Sequence, residues 1–367
     1  MSDRSLERYD RQMRFAPIGE AGQRRLAAAT VLIVGSGALG TALAEHMTRA
    51  GVGVVRLADR DYVEPSNLQR QGLFDEADAA EGLPKAVAAA AKLRRMNGSV
   101  RIEPHVTDVT ARNAALLARG ADLVLDGTDN AAARLALSDA CFGLGIPYVY
   151  GGVTGASGMS ATFVPGATAC LRCTVGGESE LAEGETCETA GIIAPIVELV
   201  AAVQAGEAMQ WLVGAREAMR GTWLAAELWP FAVRETRMPR PVRSCAVCGA
   251  GSAGAAGVIA AQGSTLRSAE QEDGWGTAVL CGRDSVQVTL AEGLALLEPD
   301  TLEEQLQALG CRTERNPYLL RAWTADGLRL VIFPEGRVLV QGTSDAARAR
   351  AACIHYLIGR EAIVHHA

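Results

Sequence analysis

Short apolar runs alternate with longer stretches of helix formers through the first half of the chain. Val31–Val34 reads VLIV, four apolar residues with no polar face, the pattern of a strand covered on both sides. GSGALG follows at once. Thr41–Ala50 then carries Leu43 and Met47 at a spacing that puts both on one helix face before Gly51 stops it. A second strand is expected at Val54–Leu57, running out at Asp59. The pattern next predicts an acidic, loop-like segment over Asp75–Leu83 and a helix that Pro84 starts and that runs through Met96. A strand at Val100–Glu103, a helix at Arg112–Leu117 and strands at Leu123–Leu125 and Pro147–Val149 complete the alternation. Residues 5–29 read as helical, with Leu6, Tyr9, Met13 and Leu26 as candidate buried positions, and Ile196–Val213 as a long apolar helix. Strands and helices in this order predict an α/β fold, a Rossmann-like doubly wound sheet.

After Gly249 the periodicity lapses into a Gly/Ala/Ser stretch, expected to be a linker over 250–266 between a domain of residues 1–249 and a small α+β domain of residues 267–367. In that last part Ser285–Leu290 alternates as a strand should, and Thr301–Leu309 is amphipathic. Tyr318–Trp323, Leu328–Phe333 and Arg337–Gln341 read as strands joined by tight turns at Asp326-Gly327 and Glu335-Gly336, with a helix at Ser344–Ile358 closing the unit.

Composition adds exclusions. The 367 residues are 49% hydrophobic and 21% charged, with a net charge of −7, so no basic surface for nucleic acid is expected. The charged N-terminus is no secretory signal, and no apolar run was expected to reach the eighteen or so residues of a membrane helix, so cytoplasm and no membrane partner are the expectation. Nine cysteines, an odd number including two C-x-x-C pairs, fit a reducing compartment with a metal site better than a disulfide framework.

The candidate chemistry begins at GSGALG. Gly35 suits a tight turn, Gly37 lets the backbone come close to a ligand, and Gly40 lets helix and strand pack closely, while the free N–H groups of the helix start face an anion. Asp59 lies about twenty residues further on, where an acid can accept ribose hydroxyls. SNLQRQ, Ser66–Gln71, then puts amides and a guanidinium where a dinucleotide dehydrogenase has no use for them. Lys85 stands at a helix start, where the macrodipole disfavours it unless an anion is near. Asp126 and Asp129 emerge at the carboxyl end of a strand and can hold Mg2+ against phosphate oxygens; Asp129 is the better candidate and Asp126 can instead brace the loop. Asn130 can contact nucleotide or cap the next helix. Cys170, Cys173, Cys245 and Cys248 supply four thiolates, a closed tetrahedral set for a structural Zn2+. Cys187, just before a helix, is either a nucleophile with a stabilised thiolate or a small buried residue. Arg8 and Arg11 are an ordinary solvated helix face on residue type alone.

RYDRQ at Arg8–Gln12, GSGALG, ADRDYVEPSNLQRQ, Pro84-Lys85, DGTDN at Asp126–Asn130, CLRC at Cys170–Cys173, the TCETAGIIAPIVELVAAVQAGEAMQWLVG run from Thr186 and CAVCG at Cys245–Gly249 occur in an order that resembles the ThiF/MoeB group of activating enzymes, relatives of the adenylating domain of ubiquitin E1. The resemblance covers about the first 250 residues. It implies ATP as substrate, with nucleotide contacts from Gly35, Gly37, Ala38 and Gly40. It implies further contacts from Asp59, Asp61, Ser66, Asn67, Leu68, Gln69 and Arg70, and from Lys85, Asp129 and Asn130. Many relatives carry glycine where Ala38 stands. Arg11 matches the arginine that reaches across a homodimer to the phosphates. Arg11, Arg70, Lys85, Asp129 and Cys187 are the implied catalytic set. The implied reaction is adenylation of the C-terminal Gly-Gly carboxylate of a ubiquitin-like sulfur carrier, with sulfur arriving through Cys187 or from a separate donor, a cysteine desulfurase or sulfurtransferase. A related enzyme tailoring a peptide natural product, a NAD-dependent oxidoreductase and a non-enzymatic scaffold are the other readings. Some members carry a rhodanese domain after the zinc site, but its active-site loop is not visible around Cys281, Cys311 or Cys353.

Overall fold

A computed structural model describes residues 6–178, 190–249, 276–280, 284–289, 298–334 and 336–358. The chain divides into two compact units, Met1–Ser264 and Thr265–Ala367.

The first unit is built on eight strands, β1 Thr30–Val34, β2 Val54–Asp59, β3 Arg101–Val106, β4 Leu123–Asp126, β5 Tyr148–Thr154, β6 Ser157–Phe163, β7 Thr222–Leu228 and β8 Phe231–Arg237. They lie in the order β3-β2-β1-β4-β5-β6-β7-β8. The first five run parallel and the last three are added antiparallel. The alternation of strands and helices in the sequence does not announce this antiparallel extension. Its helices include α1 Gly19–Ala28, α2 Ala38–Ala50, α3 Lys85–Met96, α4 Ala114–Ala118, α5 Ala131–Leu144 and α6 Ala194–Val213.

The VLIV run shows why a strand with no polar face is stable here. Val31 and Ile33 face a core with Leu43, Met47, Leu93 and Val197, whereas Leu32 and Val34 face one with Leu135, Leu137, Tyr148 and Phe163. Both faces are covered, so every position is apolar. Successive strands are added first on one side of β1, with β2, and then on the other, with β4, which makes the carboxyl ends of β1 and β4 the switch point where open α/β sheets bind ligands.

Three local expectations need correction. Residues 5–29 are not one helix. A short helix Asp10–Met13 and α1 are separated around Pro17, where the chain turns through Gly19 at φ 55°. The acidic segment at 75–83 holds a helix, Glu76–Glu81. Asp75 accepts the N–H groups of Ala77 and Asp78, the Asp78 carboxylate accepts that of Asp75, and Gly82 closes the turn. The chain also does contain a stretch of membrane-helix length. α6 has 20 residues and a mean hydropathy of 1.3. Its apolar character has a local cause, because Ile196, Val197, Val200, Ala201, Ala205 and Ala208 are packed against the sheet.

In the second unit β9 Gly276–Leu280, β10 Ser285–Thr289, β11 Arg312–Asn316, β12 Leu319–Trp323, β13 Arg329–Ile332 and β14 Arg337–Gln341 form one sheet in the order β11-β12-β13-β14-β10-β9. Its described pairings are all antiparallel. α7 Pro299–Ala308 and α8 Ala346–Leu357 pack Leu302, Leu306, Ala349 and Cys353 against Val286, Leu330 and Val340. Asp345 caps α8 through the N–H groups of Ala347 and Arg348.

Candidate nucleotide site and cysteine cluster

The turn from β1 into α2 is fixed by contacts that admit no side chain. A Cβ on Gly40 would lie 1.6 Å from the Gly35 carbonyl oxygen, and one on Gly35 would lie 2.6 Å from that of Gly127. The β1 turn and the β4 turn therefore touch backbone to backbone. A Cβ on Gly37 would meet only Gln71 Nε2, at 3.9 Å, so the space above Gly37 is open to a ligand. Gly37 is the N-cap of α2 and no side chain caps the helix. The first-turn N–H groups are left for an anion. Beside them Ser36 Oγ and Gln71 Oε1 are buried with no hydrogen-bond partner among the described residues, as expected of groups awaiting a polar ligand.

Asp59 ends β2 next to this turn. Its Oδ2 accepts the Ser36 N–H, and its Oδ1 accepts the Asp61 N–H at 2.6 Å. Burial pushes its carboxyl up from the ordinary value and the neighbouring Asp61 adds to this, while Lys85 and the two N–H donors pull it down. Lys85 opens α3 with its side chain 5% exposed and Nζ 3.2 Å from Asp61 Oδ2. The lysine found at a helix start is thus held by an acid, and its charge sits within the acidic strip that follows β2.

The Ser66–Arg70 stretch is partly used by the fold. Asn67 is buried, and its Oδ1 accepts the Glu64 N–H in a capping box. Ser66 and Gln69 are exposed and Leu68 is partly buried. Arg70 Nη1 donates to the Ser66 carbonyl at 3.0 Å, which folds the guanidinium over its own turn.

At the end of β4 the two acids separate in role. Asp126 is fully buried and accepts from Thr128 N–H at 2.8 Å, Thr128 Oγ1 at 2.7 Å and Tyr148 Oη at 2.6 Å. Burial pushes its carboxyl up, against the opposing pull of Arg134 and these donors. It braces the loop and offers no face to a metal. Asp129 is exposed at the tip of the same loop. Asn130 caps α5 by accepting the Ala133 N–H at 2.9 Å, so the capping alternative is the one the structure displays.

Arg60, passed over in the sequence, lies in the same strip. Nη1 is 3.2 Å from Asp108 Oδ1, and Nε is 3.9 Å from Asp61. Burial opposes its charge, but Asp61, Asp108, Asp129 and Asp59 outweigh it and keep the guanidinium protonated. The signal was present, an arginine between two acids in ADRD. Gln204 was also missed. This buried amide in apolar α6 donates to the carbonyls of Asp126 at 2.9 Å and Val149 at 3.2 Å, tying the helix to the ends of β4 and β5. Its signal was an amide flanked by Val203, Ala202 and Ala205 in a mostly apolar helix.

Arg11 is exposed on the short helix Asp10–Met13. Its neighbour Gln12 donates to the Ala50 carbonyl, at the last residue of α2. The phosphate turn lies at the other end of that helix, and 13 residues span about 20 Å. Arg11 therefore does not reach the turn of its own chain. Cys187 lies outside the described residues.

The four cysteines of the C-x-x-C pairs come together. Their sulfurs lie within 4.8 Å of one another, with Cys170–Cys245 and Cys173–Cys248 each at 3.8 Å. Four sulfurs about 2.3 Å from a tetrahedral ion are about 3.8 Å apart, so the cluster fits Zn2+. Burial pushes the Cys170 and Cys173 thiols up as they stand, a cost that a bound cation removes.

A parallel sheet whose carboxyl edge carries an open glycine turn, an uncapped helix start, a ribose-type acid and an acid-held lysine defines a nucleotide-binding α/β protein. The profile described as the ThiF family matches residues 9–247, and the chain belongs to that family. It is 40% identical over 345 residues to the sulfur carrier protein ThiS adenylyltransferase of Bacillus subtilis, covering 94% of this chain and 97% of the relative. It is 36% identical over 252 residues to the molybdopterin-synthase adenylyltransferase of Escherichia coli, covering 68% of this chain and 98% of that one. Among solved structures, E. coli MccB with ATP is similar at a TM-score of 0.57 and 21% identity, covering 66% of this chain and 75% of MccB, which establishes likeness of fold.

Proposed function

We propose that this chain uses ATP to adenylate the C-terminal carboxylate of a ubiquitin-like sulfur carrier ending in Gly-Gly, with release of pyrophosphate. What carries this most is the end-to-end match to the ThiS adenylyltransferase, over 94% of this chain and 97% of that one. The open helix start beside Asp59 and Lys85 supplies a place for the nucleotide.

The carrier carboxylate is itself the nucleophile, so the chain needs alignment and charge stabilisation and no general base. The N–H groups of Ala38, Leu39 and Gly40 and the Lys85 ammonium take up the charge that grows on the departing pyrophosphate. Asp129 would hold Mg2+, which when bound neutralises phosphate oxygens. Arg70 turns from the Ser66 carbonyl to the phosphate tail. Arg11, out of reach of its own turn, serves the site of a second copy, so the working unit is a homodimer. The thiol of Cys187, or a persulfide carried by a cysteine desulfurase or sulfurtransferase, then attacks the acyl carbon of the adenylate, and AMP leaves as the carbon–sulfur bond forms. The zinc expected at the four cysteines has no open position and braces the fold. A cytoplasmic, reducing setting suits these thiols.

Exchange of labelled pyrophosphate into ATP tests this directly. Wild-type chain with a Gly-Gly-ending carrier is expected to show carrier-dependent exchange, and Lys85→Ala is expected to lower it roughly 100-fold or more, as for loss of a preorganised transition-state charge. No exchange with any such carrier, or exchange intact in Lys85→Ala, overturns the proposal.

A further inference from the structure

Arg134 sits in the first turn of α5, where the macrodipole disfavours a cation, yet its side chain is only 14% exposed. Nη2 donates to the Thr128 carbonyl at 2.6 Å and to the Gly151 carbonyl at 3.0 Å. Nη1 donates to Tyr150 Oη at 3.4 Å, and Nε pairs with Asp126 Oδ2 at 3.4 Å. The guanidinium carbon lies 4.9 Å from the centre of the Tyr150 ring, whose other contacts include Trp223 at 5.1 Å. Burial works against the charge, but Tyr150, Asp126, Tyr148 and Asp129 outweigh it, so the group stays a cation.

One planar fork thus joins two backbones that are far apart in sequence. Thr128 belongs to the loop that displays Asp129, and Gly151 belongs to β5. Gly151 and Gly152 can carry no side chain. A Cβ on Gly151 would lie 2.3 Å from Gln204 Oε1, and one on Gly152 would lie 2.8 Å from Tyr150 Oη. Both positions are packed against neighbouring side chains, so the loop that displays Asp129 is fastened to a close-packed part of β5. A lysine at 134 would keep the charge, but one ammonium cannot serve the two carbonyls held by Nη2 and at the same time Tyr150 Oη and Asp126 Oδ2, which the guanidinium meets through its other nitrogens.

We propose that Arg134 is a positioning residue: by joining the Thr128 carbonyl to that of Gly151 it fixes the loop that displays Asp129 against β5, and so sets where the Asp129 carboxylate stands. The metal-holding role of Asp129 rests on the adenylation reading; the bridge between the two backbones does not.

Isothermal titration of ATP at a series of MgCl2 concentrations, with pyrophosphate exchange alongside, tests this on the full chain. Arg134→Lys is expected to melt cooperatively and to need roughly 10-fold more Mg2+ for half-maximal tightening of ATP, the range for loss of a residue that orients a metal-binding carboxylate. At saturating Mg2+ its exchange rate is expected to fall roughly 100-fold, since a shift of about 1 Å at the reacting centre costs that much. Arg134→Ala is expected to be slower still and to recover in part when guanidinium ion is added at millimolar concentration. A wild-type Mg2+ midpoint in folded Arg134→Lys overturns the proposal. So does an ATP affinity that falls equally with and without Mg2+, the mark of a merely structural loss. Should Arg134→Ala fail to fold, Arg134→Lys decides. Absence of exchange in the wild-type chain would sink the adenylation reading alone, because the Mg2+ midpoint of ATP binding still judges Arg134.

Discussion

Single side chains at this site are decided by what lies within a few ångströms of them. Gly40 is the sharpest case, since a methyl group there would sit 1.6 Å from the Gly35 carbonyl oxygen. Relief requires the β1 turn to move away from the helix start, and nothing flexible is available to yield. Gly40→Ala is accordingly expected to cost about 3 kcal/mol or more of stability and to abolish ATP binding. Chemical denaturation and calorimetric titration measure the two losses; a Gly40→Ala protein as stable as wild type refutes the contact. Asp126 and Asp129 make the complementary point. Three residues apart in sequence, they look interchangeable as metal ligands until burial separates them, one locked by Thr128 and Tyr148 and the other exposed.

At the scale of elements, the short helix Glu76–Glu81 supplies a pH test. Lys92 pairs with both Asp75 and Asp78 across to α3. The Lys92 ammonium and the Asp78 N–H hold the Asp75 carboxyl down at about 2, below its ordinary 3.8. A carboxyl lowered in the folded state contributes stability that is fully present above 3.8 and lost as pH falls through about 2. Asp75→Asn should therefore be less stable than wild type at neutral pH, with the gap closing between about pH 4 and pH 2. Because the side chain is exposed the effect is small, and it is read as a converging pair of denaturation midpoints across acid pH. A gap that stays constant to pH 2 assigns the loss to the cap alone. Elements also show where periodicity misleads. The acidic segment was expected to be loop-like because its charges obscured a capping box, and β11, RTERN, escaped notice because an edge strand exposed on one side carries charge where a central strand carries valine.

For the whole molecule, the cysteine cluster joins segments 75 residues apart. A cross-link closing so long a loop removes much of the unfolded chain's freedom. One zinc per chain is expected by elemental analysis, and stripping it with a strong chelator, or Cys173→Ser, should lower the melting temperature of the first unit. Metal-free protein with an unchanged melt would rule out the bracing role. The second unit has its own sheet and core, and its task is not set by any group found at the nucleotide site.

The sequence by itself determined what local chemistry can specify. The VLIV strand, the GSGALG turn, the helix behind it, the acid that follows and the two C-x-x-C pairs are each written within a few residues, because strand burial, glycine sterics and ligand spacing act over that range. Only the tertiary structure decided that Asp126 is a brace, that Asn130 and Asn67 spend their oxygens on helix caps, and that Gln204 and Arg134 fasten distant backbones. Each of those outcomes depends on which buried group finds which partner across tens of residues. That is settled by the packing of the sheet and its helices, where an unmet polar atom is costly, and no local pattern records it.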